Sequence, residues 1–224
     1  MEEKTFVDDI NRSVYDIKNE ENDSYRIKQG LTPGIVEKIS EEKHDPAWMR
    51  EFRLKSLEIY NNMQVPDWGP YIDGLNMDNI ATYVRANTNM KGDWKDVPEE
   101  IKDTFDRLGI PKAERESLAG VGAQYDSELV YHNVRKEVAD QGVVYTDMES
   151  ALTGEYADMV HEHFMKLITP QDHKFAALHG AVWSGGSFVY VPKGVNLEIP
   201  LQSYFRLNAP GAGQFEHTLI IVDE

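Results

Sequence analysis

The stretch Ala181–Val195, AVWSGGSFVYVPKGV, decides the fold, because it admits three readings. A glycine pair beside a serine suggests a phosphate loop. The spacing of Gly186, Pro192 and Gly194 suggests a metal-binding jelly roll. An apolar run cut by Gly-Gly and by Pro-Lys-Gly also reads as turn, strand and turn.

The phosphate loop fails on chemistry. Such a loop needs a lysine and a hydroxyl at the mouth of a helix, so that backbone amides cradle phosphate and the hydroxyl meets magnesium. WSGGSF has no lysine there and leads into a strand pattern. GVGAQY, residues 120–125, lacks the third glycine of a dinucleotide fingerprint. A cupin-like metal protein stays open as a lesser alternative, weakened by Leu197, which stands where the second cupin motif places a metal histidine. HEHF, residues 161–164, lacks the glutamate spacing of the first motif.

Around the stretch the chain reads as helices first and sheet afterwards. FAALHGAVW, SFVYVP, LEIPLQSYFRLN and HTLIIVDE are apolar, rich in residues favoured in strands, and broken by Gly, Pro and Asn, which predicts strands from Phe175 onward. Upstream, Asp45 is expected to cap a helix with Pro46 at its first position, and Met49, Phe52, Ile59 and Met63 fall close to one face. A second helix opens at Pro98, carries Glu99 and Glu100 at its positive end, buries Ile101, Phe105 and Leu108, and stops at Gly109 before Pro111. Thr146 and Glu149 stand at capping-box spacing. Tyr156, Val160, His163 and Leu167 then share a helical face. PDWGPYIDG, residues 66–74, is an irregular segment with an aromatic pair, Trp68 and Tyr71. The expected organisation is a polar N-terminal arm over residues 1–43, including the loop KNEENDS, then a helical region over 44–170 and a strand-rich region over 171–224.

Composition narrows the function. The net charge of −16, carried mostly by residues 1–155, opposes binding to nucleic-acid phosphates. No apolar run approaches the roughly 18–20 residues that span a bilayer, and the acidic start MEEKTFVDDI lacks the pattern of a signal peptide, so a cytoplasmic protein is expected. Cysteine is absent, which excludes disulfides, thiolate nucleophiles and Cys-ligated metal on this chain.

Few side chains are left for chemistry. His161 and His163 diverge by roughly 200° if helical and would not share an ion. His163 falls on the apolar stripe and is expected to be a packed residue. Carboxylates beyond Pro170 are too sparse for a carbohydrate-cleaving solenoid. In SYFRLNA, alternation places Tyr204, Arg206 and Asn208 on one strand face and Phe205 and Leu207 on the other. That polar face could line a channel, hold an anion, or simply meet solvent.

Six blocks taken in series resemble the SufB/SufD family of iron–sulfur cluster assembly scaffolds. They are DPAWMREFRLKSLEIY, DVPEEIKDTFDRLGIPKAER, LAGVGAQYDSELVYHNVRKE, QGVVYTDMESAL, KFAALHGAVWSGGSFVYVPKGV and IPLQSYFRLNA with GQFEHTLIIVDE. The resemblance implies an α+β chain: an N-terminal helical region followed by the first coils of a right-handed parallel β-helix. It implies a non-enzymatic scaffold that takes sulfur from a donor protein and works in a complex with the SufC ATPase and the SufD paralogue. It implies that Arg206 and Asn208 line the path of sulfur. Family members are longer, and their cluster and persulfide cysteines and ATPase-gripping helices lie past the position of Glu224. This chain is therefore expected to hold no metal or cofactor itself, the iron–sulfur cluster belonging to the full-length protein, and to associate through an uncapped final coil. The alternative is a stand-alone protein-binding module that exposes its last strand.

Overall fold

A computed structural model describes residues 19–20, 22–69, 71–107 and 118–223. The expected arm up to Lys18, the stripe residue Leu108, the stop at Gly109 and Pro111 lie outside them.

Two three-stranded sheets form the centre, and both are built on one plan. In the first, β3 (Gly120–Tyr125) and β4 (Glu128–Val134) make a hairpin through a two-residue turn, Asp126–Ser127, and β7 (Leu201–Arg206) joins β3 in parallel. In the second, β5 (Val144–Asp147) pairs antiparallel with β6 (Ser187–Val191), and β8 (Leu219–Val222) joins β6 in parallel. Residues 44–170 are thus not all helix, and strands from either side of residue 170 pair in both sheets. A small sheet of β1 (Asp23–Arg26) and β2 (Val84–Ala86) docks on the hairpin turn, where Ser127 exchanges hydrogen bonds with Val84.

The sheets face one another across Ala119, Val143, Tyr145, Val189 and Val191. Gly120 and Gly122 make that approach possible, since a Cβ on either would stand 2.7 Å from a Tyr145 ring or hydroxyl atom. Outside the first sheet lies α3 (Glu99–Arg107), whose Ile101 and Phe105 pack on Val121, Ala123 and Tyr125, as the sequence stripe predicts. Outside the second lie α5 (Met148–Thr153) and α6 (Ala157–His163), packed on Phe188 through Leu152, Val160 and Phe164. A short α4 (Lys136–Ala139) precedes β5. At one end α1 (Pro33–Glu42), α2 (Ala47–Asn62) and α7 (Lys174–Val182) form a third layer over β1 and β2.

Four expectations are corrected. FAALHGAVW is helix α7, not strand: it is apolar throughout because nearly every side is buried, so it shows no helical period. Its Gly180 meets Ser56 of α2, and a Cβ there would stand 2.7 Å from the Ser56 hydroxyl. Asp45 does not cap α2; Pro46 takes the N-cap position without a side-chain hydrogen bond. The capping box at Thr146 is replaced by Asp147, whose carboxylate accepts from the Ser150 amide at 2.8 Å. His163 and Leu167 are exposed, because α6 ends at His163 and the chain turns through Met165 at φ +47°.

Candidate functional site

Arg206 and Asn208 come together at one end of the first sheet, around the hairpin turn. The Asp126 amide donates to the Arg206 carbonyl at 2.7 Å, and the Asp126 carboxylate accepts the amides of Asn208 and Ala209 at 2.7 and 2.9 Å. Asp126 holds φ +55°, a left-handed conformation that aspartate tolerates in a two-residue turn. Burial raises its pKa, and the two amides work against that rise.

The alternation read from SYFRLNA is kept through Arg206 and then ends. Tyr204 packs with the α3 cluster, and Arg206 stands in register with Tyr125 of the same cluster. Asn208 lies beyond the strand, is 8% exposed, and is held by Asn19: its carbonyl oxygen accepts the Asn19 amide at 2.9 Å. Asn19 also donates to Thr104 and Tyr125, at 2.6 and 2.8 Å, which ties α3 to this corner. Asn208, Asp126, Tyr125 and Arg26 line a cavity of about 20 Å³, room for a single water. The strand face and the buried corner are therefore adjacent but distinct.

A polar seam runs between the two sheets and has no counterpart in the sequence reading. The Tyr145 hydroxyl lies 2.6 Å from the Ser203 hydroxyl and donates to the Gln202 carbonyl at 2.9 Å. Ser203 lies 2.9 Å from Ser187. Further along, fully buried Gln124 accepts from the Gly186 amide at 2.8 Å and donates to the Asp126 carbonyl at 3.0 Å. Gly185 and Gly186 take φ of +72° and +97°, and a Cβ on Gly186 would fall 2.1 Å from the His217 carbonyl oxygen. The glycine pair of the opening stretch is thus a corner that only glycine can turn.

Two buried charge clusters were also not anticipated. Lys43, at the end of α1, binds Glu128 and Glu149, both at 2.9 Å, while the Tyr83 hydroxyl donates to Glu128. Burial opposes the lysine charge, but the Glu149 and Glu128 carboxylates outweigh it and raise the Lys43 pKa. Arg53 and Asp45 pair at 2.6 Å with no exposure on either side chain. Nearby, His179 and His217 meet ring to ring at 2.8 Å. Burial depresses His179 to about 4, with Arg53 adding to the effect, and His217 to about 3. Short-range sequence patterns carry none of these pairings, which join residues 8 to more than 100 positions apart. His161 and His163 do not join a site: both are exposed, and the His161 ring lies 4.3 Å from that of Trp48. No group of three or more His, Asp or Glu among the described residues is arranged to hold a metal ion. No helix among them is long and apolar enough to cross a membrane.

Residues 37–203 match the family described as the SufBD protein N-terminal region. The iron–sulfur cluster assembly protein SufB of Bacillus subtilis is 54% identical over 216 residues, which is 96% of this chain and 46% of that protein. SufBD family proteins of iron–sulfur cluster assembly from Staphylococcus haemolyticus and Staphylococcus aureus are 49% and 48% identical, with the same coverage of each chain. The chain spans about half the length of the curated relatives it matches. Through the match across residues 37–203, this chain belongs to the SufBD family.

Proposed function

We propose that this chain forms the N-terminal part of an iron–sulfur cluster assembly scaffold in the cytoplasm. It works there with the SufC ATPase and the SufD paralogue and takes sulfur from a donor protein. The observation that carries the reading is the 54% identity over 216 residues to a protein named for that assembly. The scaffold is not an enzyme in itself, and the cluster is its cargo. Thiolate ligands for that cargo come from outside these 224 residues, which contain no cysteine.

Two structural features support the reading. β7 adds in parallel to β3 and β8 adds in parallel to β6, and successive parallel additions are the way a β-helix grows coil by coil. Arg206 offers a permanent cation beside Tyr125 at the end of β7, which suits it to hold a sulfur anion in transit. Asn208, fixed by Asp126 and Asn19, sets the corner from which that strand end projects.

The test is a chimera in which this chain replaces the matching half of the Bacillus subtilis relative, with loading of an iron–sulfur client enzyme as the readout. The chimera is expected to load the client. Arg206→Ala is expected to lower loading about tenfold, the scale of one lost charge-assisted hydrogen bond. A chimera that folds and yields no loaded client overturns the proposal.

A further inference from the structure

Residues 56–84 contain four carboxylates, Glu58, Asp67, Asp73 and Asp78, and no lysine or arginine. In the same stretch four large apolar side chains stand in solvent: Val65 is 49% exposed, Trp68 73%, Tyr71 89% and Leu75 47%. Single exposed apolar residues are ordinary, but four of them between residues 65 and 75 need a reason. Val65 and Leu75 border a groove of about 470 Å³ with Tyr60, Met77 and Phe175 in its walls and Asp73 and Asp78 at its rim. Trp68 is placed beside it, its ring edge-on to His173 at 5.7 Å, directly before the α7 residues that line the groove. The groove's lysine, Lys174, is already engaged: it donates to the carbonyls of Tyr60 and Met63 at 3.0 and 2.8 Å and lies over the Tyr60 ring.

We propose that this groove, with Trp68 and Tyr71 beside it, docks a basic segment of another protein, one that carries a large apolar anchor flanked by arginine or lysine. The groove has room for one such anchor. Exposed Trp and Tyr faces attract guanidinium groups, and aromatic residues of this kind supply most of the binding energy in protein interfaces. Asp67, Asp73 and Asp78 then meet the flanking cations. Charge complementarity selects the occupant. Nucleic acid and anionic membrane carry the wrong sign, and a second copy of a chain with net charge −16 brings like charge to the rim. The inference does not depend on the cluster-assembly reading, because its readout is binding alone.

The experiment measures fluorescence anisotropy of a labelled amphipathic leucine–arginine peptide against the whole chain, with a leucine–glutamate peptide as counterpart. Trp68→Ala with Tyr71→Ala is expected to weaken the leucine–arginine peptide at least about tenfold, the loss of one aromatic hot spot. Asp67→Asn, Asp73→Asn and Asp78→Asn together are expected to weaken it comparably and to flatten its salt dependence. The leucine–glutamate peptide is expected not to bind. All the substituted side chains are exposed, so the circular dichroism of every variant should match the parent. Unchanged affinity in the aromatic double variant overturns the proposal, since attraction would then be to acidic surface at large. Equal binding of the leucine–glutamate peptide overturns it too. So does light scattering that shows a dimer dispersed by the aromatic substitutions, which would make a second copy the occupant.

Discussion

Arg53 and Lys43 are both buried cations near the N-terminal helices, yet the molecule accommodates them in opposite ways. Arg53 is sealed. Its Nε donates to Asp45 at 2.6 Å, its Nη1 donates to the Trp183 carbonyl at 2.8 Å, and its Cζ lies 4.7 Å from the centre of the Trp183 ring. It thereby satisfies the end of α7 and pins that helix to α2, a task that needs the planar fork of a guanidinium. Lys43 is a point charge between two carboxylates, in a corner that opens on a cavity of about 280 Å³. The difference teaches that burial fixes a charge where directional partners meet it from more than one element. Arg53→Ala should therefore be the most damaging change, costing about 3–5 kcal/mol by leaving Asp45 charged and dry. Thermal melting should fall by roughly 10 °C, and Arg53→Lys should recover only part of it. Melting within 2 °C of the parent would break the comparison at its stronger end.

Lys43→Met should cost less, about 3 kcal/mol at pH 7.5, because water from the cavity reaches the two glutamates it leaves facing one another. The sign of its pH dependence sharpens the contrast. With Lys43 present, the Glu149 carboxyl sits below its ordinary pKa: burial would raise it, and the ammonium together with backbone amides, that of Gly185 among them, more than reverses that. The stability this supplies is present above the unfolded carboxyl pKa and is lost as pH falls through the folded one. Without the lysine, the same carboxyl rises and takes up a proton on acidification. The deficit of Lys43→Met should thus shrink between pH 7.5 and 5. Urea unfolding at the two pH values reads it, and a deficit that grows in acid contradicts the account.

What the sequence made legible follows the same division between local and distant partners. α3 and its stripe, the strand at Ser187–Val191 and the glycine corner before it were readable because each is set by residues a few positions apart. α7 was not, since its Ala, Gly and Leu pack on all sides and leave no polar face to give a period. The β3–β4 hairpin escaped for a related reason: every residue of β3 is buried, so alternation is absent. The two misplaced caps share one cause. Asp45 was drawn away to Arg53, and Glu149 to Lys43 and to the Gly185 amide at 2.6 Å, partners that no local rule includes. At the candidate site, alternation and the resemblance single out Arg206 and Asn208, but β7 ends at Arg206 and Asn208 lies past it in a buried corner. That Asn208 answers to Asn19, 189 positions away, was beyond any pattern in SYFRLNA.

The smallest expected effect tests whether Arg53 acts beyond its own contacts. His179 and His217 are half-buried and held neutral, and the Arg53 charge helps to keep His179 so. Their folded pKa values, about 4 and about 3, lie below the ordinary histidine value near 6.5. The unfolded chain therefore binds more protons than the folded one between those limits. Stability is complete above pH 6.5 and declines as pH falls towards the folded values. Between pH 7.5 and 5.5 the pair should cost about 2 kcal/mol, and His217→Gln should remove about half of that dependence. In Arg53→Met the slope should persist but weaken, because burial alone still disfavours both imidazolium ions. A slope unchanged by His217→Gln would place the acid sensitivity elsewhere. A slope abolished in Arg53→Met would show that the arginine charge, and not burial, holds the histidines neutral, and would tie the sealed cation to its surroundings by charge as well as by hydrogen bonds.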